Sequence, residues 1–313
     1  MRATTTLENL INEVETKSCG NFDETVSLNK MEFASLGEMW IENVGVEVLP
    51  HAQRLLANRL RVPFTYLKRC PSELQAANLN HWLAKERKKR DTFFCRFNGQ
   101  KQLRAVFTEL YTAIDNTEIL TKMLDLGFAP DQKVQYLLND GLMVVKVAEY
   151  GRSFEVADKD EVIPGLSFGN SEIGLLSFCV ECFYLRLVCT NGLVVPVSAG
   201  QSRFKHISRK AFEQLSETIR MVADSSNGQQ NQMVISANTP VYNPIRTIET
   251  FNKRFALTQE QGELVKTSWQ QEPIQNMWGV IQAYTASAKV PWIDAETSYK
   301  LERVGGQILA SIN

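Results

Sequence analysis

Three dipeptides, Asn98-Gly99, Asp140-Gly141 and Asn191-Gly192, each stand between two runs rich in β-branched, aromatic and aliphatic residues. Asn-Gly and Asp-Gly supply the positive backbone angles that tight hairpins demand. Three hairpins predict antiparallel pairing, with Thr92–Phe97 against Lys101–Phe107, Val134–Leu138 against Leu142–Glu149, and Leu176–Cys189 against Leu193–Val197. A further strand, Arg152–Val156, follows Tyr150-Gly151, and Pro196 suits an edge strand.

Helical spacing flanks this block. Residues 6–16 form an amphipathic stripe of Leu7, Leu10, Ile11 and Val14. His51–Leu60 ends at Val62-Pro63, and Pro71 opens a helix to Leu83. Thr117–Leu126 follows Asp115-Asn116, and Ser208–Asp224 carries Phe212, Leu215, Ile219 and Val222 at helical spacing. Thr258 and Gln261 form a capping box, with helices predicted at 259–270, 273–288 and 294–311. Helices, then hairpins, then helices define an α+β chain, because a doubly wound parallel sheet alternates strand and helix. The polar stretch Ser225–Gln232 is the best linker. The expected divisions are an N-terminal helical segment (1–30), an α+β core (31–224), a polar linker (225–243) and a C-terminal helical region (244–313).

Composition narrows the function classes. The 313 residues are 44% hydrophobic, enough for a sizeable core, and no run approaches a membrane span. The opening MRATTTLENLINEVE carries acids where a signal peptide is apolar, so cytoplasmic action is expected. Six scattered cysteines predict reduced thiols. Cys179 and Cys182 resemble half a zinc site, but on a strand they face opposite sides and read as small buried hydrophobes.

Catalytic signatures are weak. Gly165–Gly174 lacks both the phosphate-loop ending and the dinucleotide spacing. His51, His81 and His206 form no metalloprotease pair. No cofactor, metal site or catalytic residue is assigned. A metal-dependent hydrolase using Asp115, Glu172 or Glu181 stands as the weakest alternative, since a site assembled in space leaves no motif.

Charge distribution is more informative. The net charge is -1, yet His51–Leu110 holds thirteen Lys/Arg against four acids, a local excess of nine. Lys85, Arg87, Lys88, Lys89, Arg90, Arg96, Lys101 and Arg104 are interleaved with Phe93, Phe94 and Phe97. In a two-residue hairpin Arg96 falls opposite Lys101, a like-charge pair that a bound anion would relieve. Basic residues beside aromatic platforms hold single strands without sequence readout. Lys85, Arg87, Lys88, Lys89, Arg90, Phe94, Arg96, Phe97, Lys101 and Arg104 are therefore the expected nucleic-acid contacts. The competing structural reading is a solvated helix end and core phenylalanines.

Several ordered segments resemble a known family. Arg59–Pro71 (RLRVPFTYLKRCP), Asn78–Leu83 (NLNHWL), Leu103–Tyr111 with Ile114-Asp115-Asn116, Gly169–Gly174 (GNSEIG), Arg186–Gly192 (RLVCTNG), Gln282–Ala288 and Leu301–Gly306 are similar, in order, to motifs of the phage/plasmid-like proteins built on domain of unknown function 932. Phe107-Thr108 and Gln282 depart modestly from that pattern. The resemblance covers most of the chain. It implies a phage or plasmid origin and action inside a bacterial host, and it carries over no catalytic residue.

Motif positions nevertheless invite physical roles. Asn191-Gly192 makes a turn, and Asp115 or Asn116 caps the following helix. Arg104 and Arg186, inside apolar strands, must face solvent, an acid or a ligand. Asn170 and Ser171 either donate to a phosphate or hold their loop. Tyr111 has no assigned role. The leading expectation is a non-enzymatic single-stranded DNA-binding protein supporting replication or recombination of a mobile element, with an annealing-type homo-oligomer as one form of it. The alternative is a protein-interaction module engaging a host defence complex through its acidic remainder or through the helices with Trp269, Trp278 and Trp292, tryptophans that more often serve as core.

Overall fold

The computed structural model describes residues 2–196, 203, 204, 206 and 210–312. The first third runs β1 (Arg2–Thr6), α1 (Leu7–Ser18), β2 (Phe22–Ser27), β3 (Met31–Phe33), β4 (Glu38–Ile41), β5 (Val44–Glu47), α2 (Pro50–Arg59), α3 (Phe64–Leu67), α4 (Ser72–Glu86), β6 (Thr92–Phe97) and β7 (Leu103–Phe107). Next come α5 (Asn116–Asp125), β8 (Lys133–Leu138), β9 (Met143–Ala148), β10 (Phe154–Ala157), β11 (Asp160–Asn170), β12 (Phe178–Arg186), β13 (Gly192–Val195) and β14 (Arg203–Phe204). The remainder is helical: α6 (Lys210–Glu213), α7 (Leu215–Asn238), α8 (Pro244–Arg254), α9 (Gln259–Gln271), α10 (Met277–Ser287) and α11 (Ala295–Ala310). This is the α+β class that the order of elements predicts. No described helix is long and apolar enough to cross a membrane.

Every ladder is antiparallel. The main sheet runs β1-β8-β9-β11-β12-β13, with β10 beside β11 and β14 beside β12, so β13 and the following Pro196 lie at an edge. Alternation along β12 sends Phe178, Val180, Cys182 and Tyr184 to one face and Cys179, Phe183 and Leu185 to the other. Cys182 Sγ lies 3.2 Å from Val222 O of α7, whereas Cys179 Sγ meets Tyr299 Oη of α11 at 3.5 Å. The two thiols therefore share no ligand, and burial pushes Cys179 up to about 12. Helices cover both faces, so the central strands are buried throughout. Each fully buried Phe or Tyr contributes roughly 1.5–3 kcal/mol relative to exposure.

Residues 26–106 build a separate apolar cluster. Leu56, Leu67, Leu79, Leu83, Phe93, Cys95 and Leu103 pack between α2–α4, the β2-β6-β7 sheet and the β3-β4-β5 sheet. The larger cluster joins α1, α5, the main sheet and α7–α11. Polar side chains form the seam between the two.

Several local expectations change. Asn98-Gly99 is not a two-residue turn: Phe97 pairs with Leu103, and Arg96 lies opposite Ala105 rather than Lys101. The Asn98 carboxamide oxygen accepts from the N–H groups of Gln100 (3.1 Å) and Gln102 (2.8 Å), and the positive φ of 61° falls on Lys101. Gly99 is needed for space, since a Cβ there would lie 2.9 Å from Cys19 O. Asn191-Gly192 is likewise no turn. Arg186 N–H donates to Asn191 O at 3.0 Å, Gly192 starts β13, and the positive φ of 54° sits at Thr190.

The first thirty residues include β1 and β2 as well as α1. Ser225–Gln232, read as the core of a linker, lies inside the 24-residue α7, which continues to Asn238. Its inner side is small and polar: Ser226 O and Gln229 Oε1 both accept from the Tyr184 hydroxyl, at 3.2 and 2.9 Å. α8 was not anticipated, and α10 begins at Met277 rather than 273. The expected strand end at Val197 and helix start at Ser208 lie outside the described residues.

Candidate functional site

Two places gather the residues that the sequence singles out. The first is the polar seam. Arg96 is on the face of β6 that looks toward the main body, and it is buried. Its Nε donates to Asp23 Oδ1 of β2 (2.8 Å), its Nη1 to Glu172 O (3.1 Å) and its Nη2 to Asp115 Oδ1. Desolvation opposes its charge, but Asp115 and then Asp23 outweigh it and raise the guanidinium above its ordinary value. Burial raises Asp23, an effect that Arg96 partly offsets.

Asp115 is also the N-cap of α5, and its N–H donates to Glu118 Oε2 at 3.2 Å. One position thus starts a helix and neutralises a buried cation. Arg104 of β7 donates to Glu172 Oε2 at 3.0 Å, and Asn116 N–H donates to Glu172 Oε1 at 3.0 Å. The Asn170 amide donates to Ile114 O (3.0 Å) and Asn116 Oδ1 (2.9 Å), while its own buried Oδ1 has no partner among the described residues. The Ser171 hydroxyl donates to Gly141 O at 2.6 Å and accepts from Leu175 N–H at 3.0 Å. Asn170 and Ser171 hold their loop.

Rings close the seam. Phe107 and Tyr111 stack with centroids 3.7 Å apart, and the His206 ring lies near-parallel to Tyr111 at 5.3 Å. Burial, and then Arg96, lower His206 to about 4, so it is neutral near pH 7, with Nδ1 3.0 Å from the Tyr111 hydroxyl. Burial raises the Tyr111 phenol to about 12.

These contacts correct the hairpin interface expected from the sequence. Arg96 and Arg104 are engaged by carboxylates rather than presented on a groove. Arg87 donates to Leu28 O (2.9 Å) and Met31 O (2.7 Å), and Arg90 pairs with Glu86 at 2.7 Å. Phe93 and Phe97 are interior, while Phe94 is half-buried beside Tyr111. Of the expected contacts, Lys85, Lys88, Lys89 and Lys101 remain exposed. Arg186 likewise meets acids, Asp160 at 2.6 Å and Glu272 at 2.9 Å, and Asn191 is buried against Gln282, away from the seam.

Carboxylates once considered as metal ligands are matched by cations: Asp115 by Arg96, Glu172 by Arg104, and Glu181 by Arg203 and Arg303. Among the described residues no group of three or more His, Cys, Asp or Glu is placed to hold a metal ion.

The second place is the outer face of α3 and α4. Leu79 and Leu83 turn inward, and Asn78, Trp82 and Lys85 form the stripe one residue to the side of them, with Lys88 and Lys89 in the turn that follows α4. Trp82 is 42% exposed and Tyr66 45%, and the Tyr66 hydroxyl lies beside Cys70 and Asn78. Lys68, Arg69, Lys85, Lys88 and Lys89 are exposed along the same stretch of chain, with Glu73 the exposed acid on α4. Lys89 pairs at 3.5 Å with buried Glu86 but stays 58% exposed. Sequence reasoning missed Tyr66, Trp82, Lys68 and Arg69. The available signal was a tryptophan off the apolar stripe of its own helix.

Fold and seam together define an α+β protein in which two of the family-like segments, 103–116 and 169–174, meet at one polar junction. The model of the domain of unknown function DUF932 matches residues 104–303, more than half of the chain, so the protein belongs to that family. The matched segment begins at Arg104 and includes Tyr111, Asp115, Asn116, Asn170, Ser171 and Glu172. No curated protein and no solved structure is detectably similar to it.

Proposed function

We propose that this protein binds single-stranded DNA through the outer face of α3 and α4, in support of replication or recombination of a phage or plasmid. One observation carries this: Tyr66, beside Asn78, and Trp82, one turn further along α4, stand exposed in a stretch that also exposes Lys68, Arg69, Lys85, Lys88 and Lys89. Exposed rings cost solvation that stacked bases recover, at about 1–3 kcal/mol per base. Phosphates between the bases meet the lysines, and the near-zero net charge makes the interaction local to this face. The resemblance to phage/plasmid-like proteins supports a mobile-element setting in the cytoplasm of a bacterial host. Assembly on the strand as an annealing-type homo-oligomer belongs to the same proposal. Fluorescence anisotropy with labelled oligo-dT tests it: wild type binds, and unlabelled single strand competes better than duplex. Absence of binding at low salt rejects it.

A second reading, a protein-interaction module that engages a host complex, is favoured by a different surface. Trp292 is 74% exposed and Val188 63%, on loops joined by Lys289, whose ammonium donates to Thr190 Oγ1 at 3.2 Å. Trp278, by contrast, is core, donating to Asp160 at 2.8 Å. A host protein captured from nuclease-treated lysate by wild type, and lost with Trp292→Ala, supports this reading over the first.

A further inference from the structure

The end of α1, the Asn98–Gln102 connection, the start of α2, the Asn139–Gly141 turn and Glu172-Ile173 enclose a cavity of about 680 Å³. Pockets of roughly 300–1,000 Å³ hold small molecules. Its wall is unusual in the donors it leaves without protein partners. Arg104 is 11% exposed, and only its Nη2 is held, by Glu172. Among the described residues its Nε and Nη1 have no acceptor. Both Glu172 oxygens are already engaged, by Arg104 and by Asn116 N–H.

Asn116 also lines the cavity. Its Oδ1 accepts from Asn170, which leaves its NH2 group without a partner among the described residues. α2 opens onto the same space at Leu49–His51 with no side-chain cap, so its first-turn N–H groups add partial positive charge. His51 is fixed there by Ile173 O at 2.7 Å from its Nε2. Lys17 also lines the cavity, paired with Glu13 at 3.0 Å, and the acids of the lining are Asp140 and Glu172.

A fixed guanidinium edge, a carboxamide NH2 and a helix start are complementary to an oxyanion with several acceptor oxygens. Phosphate offers three such oxygens and nearly two charges. We propose that this cavity binds a phosphomonoester of nucleotide size, its phosphate on the Nε/Nη1 edge of Arg104 and the NH2 group of Asn116. The phosphate arrives either on a free nucleotide or at the 5′ end of a strand. The site is separate from the α3–α4 face and does not depend on it.

Cys19 provides a reporter, because it is exposed and lines the cavity, whereas Cys70 and Cys189 do not line it. Maleimide alkylation of the full chain, mapped by mass spectrometry, is followed with deoxyadenosine monophosphate, deoxyadenosine, and oligo-dT bearing a 5′-phosphate or a 5′-hydroxyl. A charged hydrogen-bonded contact corresponds to about ten-fold or more in affinity, so the phosphorylated probe slows Cys19 at about ten-fold lower concentration than its unphosphorylated counterpart. Cys70 is unaffected. Arg104→Gln removes the effect. Because that change also disturbs Glu172, the exposed Lys17→Glu is used beside it and weakens protection several-fold without touching the core. Slowing by the mononucleotide or by the 5′-phosphorylated strand identifies the source. Slowing by neither, or equal slowing by deoxyadenosine and the 5′-hydroxyl strand, overturns the proposal. Failure of the α3–α4 face is read separately, by anisotropy with 5′-hydroxyl oligo-dT.

Discussion

Arg96 of β6 donates to Asp115, the residue that caps α5, so the smaller core is fastened to the larger one by a buried cation and a helix-capping carboxylate. Asp23 and the carbonyl of Glu172 complete its shell. Breaking a fully buried ion pair typically costs about 3–5 kcal/mol, and the cost here is smaller because Asp115 and Asp23 keep 39% and 28% of their side-chain surface in water. Arg96→Met is therefore expected to lower the urea midpoint far more than Lys101→Met, which alters an exposed residue in the adjoining loop. Equal midpoints for the two variants would show that the seam does not hold the cores together.

His206 gives the seam a pH dependence. Burial pushes it down to about 4 in the fold from its ordinary 6.5, so between these limits the unfolded chain binds more protons than the folded one. Stability then rises with pH across this window and levels off above it. The difference corresponds to about 3 kcal/mol at most. Burial lowers His51 in the same direction. Urea titrations near pH 5 and pH 7.5 (about one unit outside or inside the window) should show a smaller difference for His206→Gln than for wild type. An unchanged difference would remove His206 as its source.

Gly306 tests how α11 docks. A Cβ at this position would lie 2.0 Å from Val194 O of β13, closer than any real contact. Side-chain repacking cannot relieve a clash with backbone. Gly306→Ala is expected to cost at least the roughly 1–3 kcal/mol of ordinary overpacking, read as a fall in thermal midpoint. A variant as stable as wild type would mean that α11 lies farther from the sheet.

Elements whose signals are local were legible in the sequence. A cap at Asp115 or Asn116, settled as Asp115, the Thr258–Gln261 capping box and the stripe of Leu7, Leu10 and Val14 all stand where predicted. The first part of α7 was read from Leu215, Ile219 and Val222, but its continuation past Asp224 was hidden because the buried side there uses Ser226 and Ser236 beside Met233, which gives no apolar period. The hairpin at Asn98 was placed correctly but misregistered, because the Asn98 side chain rather than Gly99 shapes the connection. The seam was only half legible. Arg96 and Arg104 were recognised as cations needing a partner, but Asp23, Asp115 and Glu172 reach them from strands and loops remote in sequence. Local alternation cannot reveal such partners.

The central functional claim is tested most directly by the salt dependence of oligo-dT anisotropy in wild type, Trp82→Ala and the triple variant Lys85→Glu, Lys88→Glu, Lys89→Glu. With about five phosphates neutralised, log affinity should fall against log salt with a slope of about -3.5 for wild type, and with a much shallower slope for the triple variant. Trp82→Ala should keep the slope while losing about 1–3 kcal/mol, the value of one stacked base. Binding that is indifferent to salt, or unchanged in both variants, would contradict the assignment of α3 and α4 as the DNA-binding face.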